Sequence, residues 1–212
     1  MSDRVKKTDL MSEEERNAYH AKKMLKKKQA REKMLKTKTK EKGLIIVHTG
    51  KGKGKSTAAF GMVFRALGHG FNIGIVQFVK GKWGTGERDI LEKFPEQVSI
   101  KAMGEGFTWE TQDRGRDIKA AQCAWEEAKK MIMDKQYNMV LLDELNIVLR
   151  YDYIDIKDVI EFLKNKPQDV HVIITGRNAK EQLIEIADLV TEMSMIKHPF
   201  RLGIKAQAGI EF

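Results

Sequence analysis

The segment Leu44–Leu67, LIIVHTGKGKGKSTAAFGMVFRAL, runs from an apolar strand through a glycine-rich turn into a helix, and no other stretch constrains the fold as strongly. Glycines at 50, 52 and 54 let successive backbone N–H groups converge on phosphate oxygens, while the helix N-terminus adds a favourable dipole. In such a loop Lys55 holds phosphate charge and the Ser56 hydroxyl ligates magnesium. The triplet Gly-Lys-Ser/Thr alone arises by chance in roughly one chain in ten of this length, so the triplet is weak. The added glycines, the strand before them and the helix after them make the segment a nucleotide site. The standard spacing GxxxxGK[ST] calls for glycine at 49, but Thr49 stands there and the first glycine is Gly50. The loop is one residue short. A tighter loop moves each phosphate, so the usual placement of the γ-phosphate for hydrolysis or phosphoryl transfer does not carry over.

From Gly43 onward short apolar runs alternate with amphipathic stretches, the pattern of α/β architecture. Strands are expected at 44–49, 71–79, 98–103, 139–144, 170–175 and 189–193. Most are too continuously apolar to keep one wet face, which calls for a buried, mainly parallel sheet flanked by helices. Helices are expected at 56–68, 113–135, 155–165 and 179–187, the third opened by Asp155 as N-cap and ended before Pro167. Trp125, Met131 and Ile132 fall at core spacing on the second of these. The closing RLGIKAQAGIEF alternates weakly, as a last strand would.

A length of 212 residues with 42% apolar composition suits one globular domain with an appendage. The net charge of +9 resembles a nucleic-acid signature, so its distribution matters. Residues 1–42 hold 15 Lys/Arg against 7 Asp/Glu, which leaves the remainder nearly neutral. That tail has good helix formers and no Pro or Gly before Gly43, yet only scattered apolar residues such as Leu25, Met34 and Leu35. Two readings stand side by side: a segment that folds over a ligand or partner, and a solvated basic tail with no specific task. The charged N-terminus and the lack of a long apolar run point to a cytoplasmic protein without a membrane span. The lone Cys123, set among alanines beside Trp125, reads as a buried inert thiol. The five histidines show no HxH or HExxH spacing, which disfavours a protein-bound zinc, and His48 reads as packing.

The run MVLLDE carries Asp143 and Glu144 to the carboxyl end of a strand, where they can reach magnesium beside a phosphate loop. Together with TGKGKGKSTAAFG come RALGHG, VQFVKG, GFTWET, LLDEL, ITGR and KAQAGIEF, in that order apart from the earlier-quoted loop. Over residues 43–212 this set resembles the ATP:corrinoid adenosyltransferases of the cobalamin-biosynthetic type. The resemblance implies a RecA-like P-loop sheet whose shortened loop holds ATP in a reversed sense, leaving the ribose 5′ carbon open. It implies transfer of the 5′-deoxyadenosyl group to Co(I) of a corrinoid, cobalamin or cobyrinic acid a,c-diamide, with triphosphate released. It also implies magnesium (manganese as a substitute), a homodimer and an external reductant such as a flavin protein.

Carried over residue by residue, Gly50, Lys51, Gly52, Lys53, Gly54, Lys55, Ser56 and Thr57 form the ATP site. Arg65 matches a residue near the ribose, and Glu144 matches the magnesium-associated acid beside Ser56. Phe107 and Trp109 match aromatics that face the corrinoid and exclude its lower axial ligand; without the resemblance they read as core plugs. The basic segment 1–42 resembles a helix that closes over the corrinoid, although it is longer and richer in lysine, and no single tail residue carries over. Trp83 fits either a ligand site or a surface loop, and Arg177 either a phosphate contact or a salt bridge. The competing functions are a conventional P-loop ATPase or kinase, from the loop and MVLLDE alone, and an ATP-dependent nucleic-acid-binding protein, from the tail.

Overall fold

The computed structural model describes residues 11–79, 85–103 and 113–210. The chain divides between Glu41 and Lys42 into two compact units.

The first unit holds helix α1, Glu13–Leu35. Ser12 opens it with a reciprocal cap: its hydroxyl accepts the Glu15 amide at 3.3 Å while its own amide donates to the Glu15 carboxylate at 2.9 Å. Three glutamates in the first turn and Lys33 in the last complement the helix dipole. No residue of α1 is buried, and Leu25, Met34 and Leu35 are each more than half exposed. Helix α1 is thus held by propensity and capping rather than by burial.

The second unit is built on a six-stranded, all-parallel sheet in the order β3-β2-β4-β5-β1-β6. Its strands are β1 (Ile45–Thr49), β2 (Ile73–Gln77), β3 (Val98–Ala102), β4 (Met139–Asp143), β5 (His171–Thr175) and β6 (Leu189–Glu192). One strand, β5, lies between the strand that feeds the glycine turn and the strand that ends in the acids, as in a RecA-like P-loop sheet. The helices are α2 (Lys55–Gly68), α3 (Gly86–Leu91), α4 (Arg114–Met133), α5 (Leu145–Arg150), α6 (Ile156–Lys164) and α7 (Glu181–Ile186).

Period-two alternation divides the core into two layers. Val47, Ile174, Leu142 and Val76 are register partners across β1, β5, β4 and β2, and they pack with Trp125, Ile132, Leu149 and Leu163. Ile46, Ile173, Leu141 and Ile75 form the next row, facing Ala59, Phe60 and Val63 of α2 on the opposite side. Trp125 also donates its indole N–H to Asp158 at 2.6 Å, tying α4 to α6. Extending the α2-side row toward the carboxyl ends reaches His48, Thr175, Asp143 and Gln77, all buried and all polar. Polar burial is therefore concentrated where a parallel sheet binds ligands.

Three sequence expectations are corrected. The closing segment forms no strand among its described residues; Pro199–Leu202 is a 3-10 turn closed by Gly203 in the left-handed region. Proline fixes a turn start and the glycine ends it, which outweighs a weak alternation. Cys123 is exposed, because the buried face of α4 runs through Ala121, Ala124, Trp125, Ala128, Met131 and Ile132 and position 123 points away from it. Helices α3 and α5, each six residues long, are additional to the four expected; α5 follows β4 after a single residue, so its apolar Leu145, Val148 and Leu149 continue the strand's run.

Two histidines give the fold an acid sensitivity. Burial pushes His48 below the ordinary imidazole range, and neither ring nitrogen has a hydrogen-bond partner among the described residues. Burial and then the Lys166 charge depress His171 as well; its Nδ1 accepts the Leu44 amide at 3.2 Å and must be unprotonated to do so. With folded values below the unfolded one, the unfolded chain takes up protons that the fold refuses. Stability is then complete above about pH 6.5 and declines as pH falls below it. Urea midpoints measured from pH 7.5 to 5 at constant ionic strength are predicted to fall, and His48→Phe to make the decline shallower; a flat profile in the unsubstituted chain removes both histidines from the account.

Candidate functional site

The glycine turn between β1 and α2 is shaped by two separate demands. A Cβ on Gly50 would lie 2.5 Å from the Met193 carbonyl oxygen, and one on Gly52 would lie 2.7 Å from the same atom. Backbone cannot retreat from such contacts as a flexible side chain can, so both positions need glycine for close approach. Gly54 has room but sits at φ +101, a conformation that side chains disfavour. The turn is stitched to the residue after β6: Met193 N–H donates to the Thr49 carbonyl at 2.9 Å, and Gly52 N–H donates to the Met193 carbonyl at 2.6 Å. One amide of the loop is therefore spent on β6 rather than offered to a phosphate.

Gly54 caps α2 without any side-chain hydrogen bond. The amides of the first helical turn lack intrahelical partners, which leaves a positive helix end open to an anion. Lys55 starts the helix and turns its ammonium back to the Gly52 carbonyl. Burial first, then the Arg177 charge, depress the Lys55 ammonium below its ordinary value; Glu144 works the other way and Lys53 adds to the depression. The cationic groups outnumber Glu144 here, an imbalance that a polyphosphate would neutralise.

The acids beside this turn have different environments. Asp143 is fully buried and accepts from the Ser56 hydroxyl at 2.9 Å, the Thr175 hydroxyl at 2.8 Å and the Gln77 amide at 3.3 Å. Glu144 stands at φ 66 just before α5 and borders the cleft with Lys55, Ser56 and Arg177. The cleft holds a cavity of about 210 Å³, smaller than the several hundred Å³ of pockets that enclose a whole ligand. It suits the phosphate end of a nucleotide.

Of the residues expected at an ATP site, Gly52, Lys53, Gly54, Lys55, Ser56 and Thr57 line this cleft together with Glu144. Gly50 lies behind the loop against Met193, and Lys51 is exposed beside it. Arg65 is exposed in the last turn of α2, ten residues beyond Lys55, about 15 Å along the helix. It does not border the cleft. Phe107, Trp109 and Trp83 lie outside the described residues. Arg177, for which the sequence allowed two readings, borders the cleft. Thr85, Glu87 and Ile147 also border it and carry no motif signal, and Ile210, from the closing KAQAGIEF, borders it too. Thr175 and Gln77 carried only the weak signal of polar residues ending otherwise apolar strands.

Two glycine substitutions separate close approach from ordinary helix propensity. Gly52→Ala forces a methyl group onto Met193 and is predicted to lower both stability and ATP affinity. Gly61, inside α2, has nothing within 4 Å of an added Cβ, so Gly61→Ala is predicted to stabilise by up to about 1 kcal/mol through helix propensity. Thermal melts with and without ATP check both; equal behaviour of the two variants contradicts the packing argument.

Residues 41–212 match the family model described as ATP:corrinoid adenosyltransferase BtuR/CobO/CobP. A corrinoid adenosyltransferase from Sinorhizobium sp is 63% identical over 201 residues, spanning 94% of both chains. The corresponding protein of Pseudomonas aeruginosa is 49% identical and spans 93% of this chain and 98% of its own. That of Escherichia coli strain K12 is 48% identical over 81% of this chain and 87% of its own. The chain belongs to the ATP:corrinoid adenosyltransferase family.

Proposed function

We propose that this chain transfers the 5′-deoxyadenosyl group of ATP to the Co(I) centre of a corrinoid and releases triphosphate. The observation that carries the reading within the family is the shortened glycine turn, with an uncapped helix end and a cationic cleft sized for phosphates. The reaction is one in-line substitution: the cobalt electron pair forms the Co–C5′ bond as the C5′–O bond breaks, and the triphosphate leaves with that bond's electrons. Cobalt, the nucleophile, carries no proton, so no protein general base is required. The protein's task is to fix the triphosphate and stabilise the charge that grows on it. Lys55, the first-turn amides of α2, Lys53 and Arg177 would do this; the three side chains border the cleft. Thr57 follows Ser56 in the same turn and takes part in the same cradle.

The Ser56 hydroxyl and the Glu144 carboxylate are hard oxygen donors of the kind magnesium or manganese accepts. Among the described residues no three His, Cys, Asp or Glu side chains gather, so a metal here would share its shell with phosphate oxygens. When bound, magnesium supplies positive charge to the triphosphate. Phe107 and Trp109 would face the corrinoid, and the basic segment 1–42 would close over it, with 43–212 as the catalytic domain. An external reductant such as a flavin protein, a homodimeric assembly and a cytoplasmic setting complete the reading; among the described residues no helix is long and apolar enough to cross a membrane. Arg65 enters only as a ribose contact carried over from the family.

The test is anaerobic. Mg-ATP and chemically reduced Co(I) corrinoid should yield a light-sensitive adenosylcorrinoid and inorganic triphosphate in equal amounts; ADP and phosphate formed regardless of corrinoid would overturn the reading in favour of an ordinary ATPase. Lys55→Ala is expected to lower kcat/KM for ATP by about 10²- to 10³-fold, the range for removing one preorganised charge-stabilising donor. Unchanged steady-state kinetics in that variant would remove the glycine turn from the mechanism.

A further inference from the structure

Both acids that end β4 meet a single hydroxyl on the neighbouring strand. Thr175 closes β5 and is fully buried. Its hydroxyl donates to Asp143 Oδ1 at 2.8 Å, and the same oxygen accepts the Glu144 amide at 2.9 Å. Asp143 Oδ1 is also the acceptor for the Ser56 hydroxyl at 2.9 Å. One oxygen on β5 is thus linked to the loop helix through Asp143 and directly to the backbone of Glu144.

That second link bears on conformation. Glu144 stands at φ 66, where side-chain-bearing residues are uncommon and must be held by their surroundings. No side chain caps the helix that Glu144 opens. The Thr175 contact fixes the peptide on the amino side of Glu144, and Gly176 at φ +127 then turns the chain so that Arg177 borders the same cleft. Gln77 donates to the other Asp143 oxygen at 3.3 Å, so Asp143 is braced from two strands.

We propose that Thr175 is a positioning residue of the nucleotide site: its hydroxyl holds Glu144 in the left-handed conformation that places it in the cleft, and through Asp143 it orients the Ser56 hydroxyl. The inference rests on the reading that Glu144 and Ser56 offer oxygens to magnesium on the triphosphate. It adds that their spacing is set by β5, the strand interposed between the glycine turn and the acids. Thr175 touches neither ATP nor metal, and acts through the residues that do.

The experiment uses the full chain and titrates magnesium into ATP binding by calorimetry for T175V, T175S and E144Q, with thermal melts alongside. T175V is nearly isosteric but lacks the hydroxyl, and it should raise the half-saturating magnesium concentration by about tenfold or more, the usual cost of losing a group that orients a ligand residue. T175S keeps the hydroxyl and should stay within about twofold of the unsubstituted chain, well short of that loss. Unchanged magnesium dependence in T175V, with or without a lower melting temperature, overturns the proposal. So does T175S impaired as much as T175V, since the methyl group and not the hydroxyl would then matter. Should T175V fail to fold, T175A leaves room for a water at the orphaned amide and carries the same measurement. E144Q with ordinary magnesium dependence refutes the metal reading itself, and that result is distinct from a normal T175V beside an impaired E144Q.

Discussion

At the mouth of the glycine turn two stretches of backbone approach so closely that only hydrogen atoms fit between them. Gly50 and Gly52 lie on Met193 and Ser194 with no space for a methyl group, and paired hydrogen bonds through Met193 lock the approach. This contact explains why β6 exists at all. All four of its residues are exposed, so it adds little to the core, yet its parallel pairing with β1 carries Met193 to the place where the turn must rest. The short turn and the edge strand form one device: the loop has a floor made of protein where a longer loop would have to support itself.

With the floor in place, electrostatics selects what lies above it. The helix end, Lys53, Lys55 and Arg177 face a cleft bordered by few acids, and Lys55 is depressed by burial and by its cationic neighbours. Such a group gains most from a multiply charged anion, because the anion restores the charge balance that burial disturbed. The same arrangement favours a departing triphosphate over a neutral product, which is the asymmetry that displacement at carbon requires.

Much of the fold was legible in the residues. Apolar runs too continuous for a half-wet strand gave the parallel sheet, and the strand limits agree to within two residues at nearly every end. Amphipathic stretches gave α2, α4, α6 and the six-residue α7. Helix α5 was hidden because it follows β4 after a single residue and continues its apolar run, and the exposure of Cys123 by a neighbour, Trp125, that faces the other way on the same helix. In the site, Lys55 and Ser56 followed from the loop motif because local spacing brings a loop and its helix together, and Glu144 from the separate acidic strand end MVLLDE. The pinning of Gly52 to Met193 spans more than a hundred residues and depends on strand order, which no local pattern encodes. Thr175 was hidden for a related reason, since a polar residue at a strand end looks alike whether it faces solvent or braces an acid.

The outward face of α4 has a practical consequence. The chain contains one cysteine, and it is the exposed Cys123. It belongs neither to the glycine turn nor to the residues bordering the cleft. A maleimide dye or nitroxide would therefore attach at a single defined point without any cysteine having first to be engineered away. From that fixed beacon, the distance to a second tag on the basic helix could be followed as nucleotide and corrinoid are added in turn.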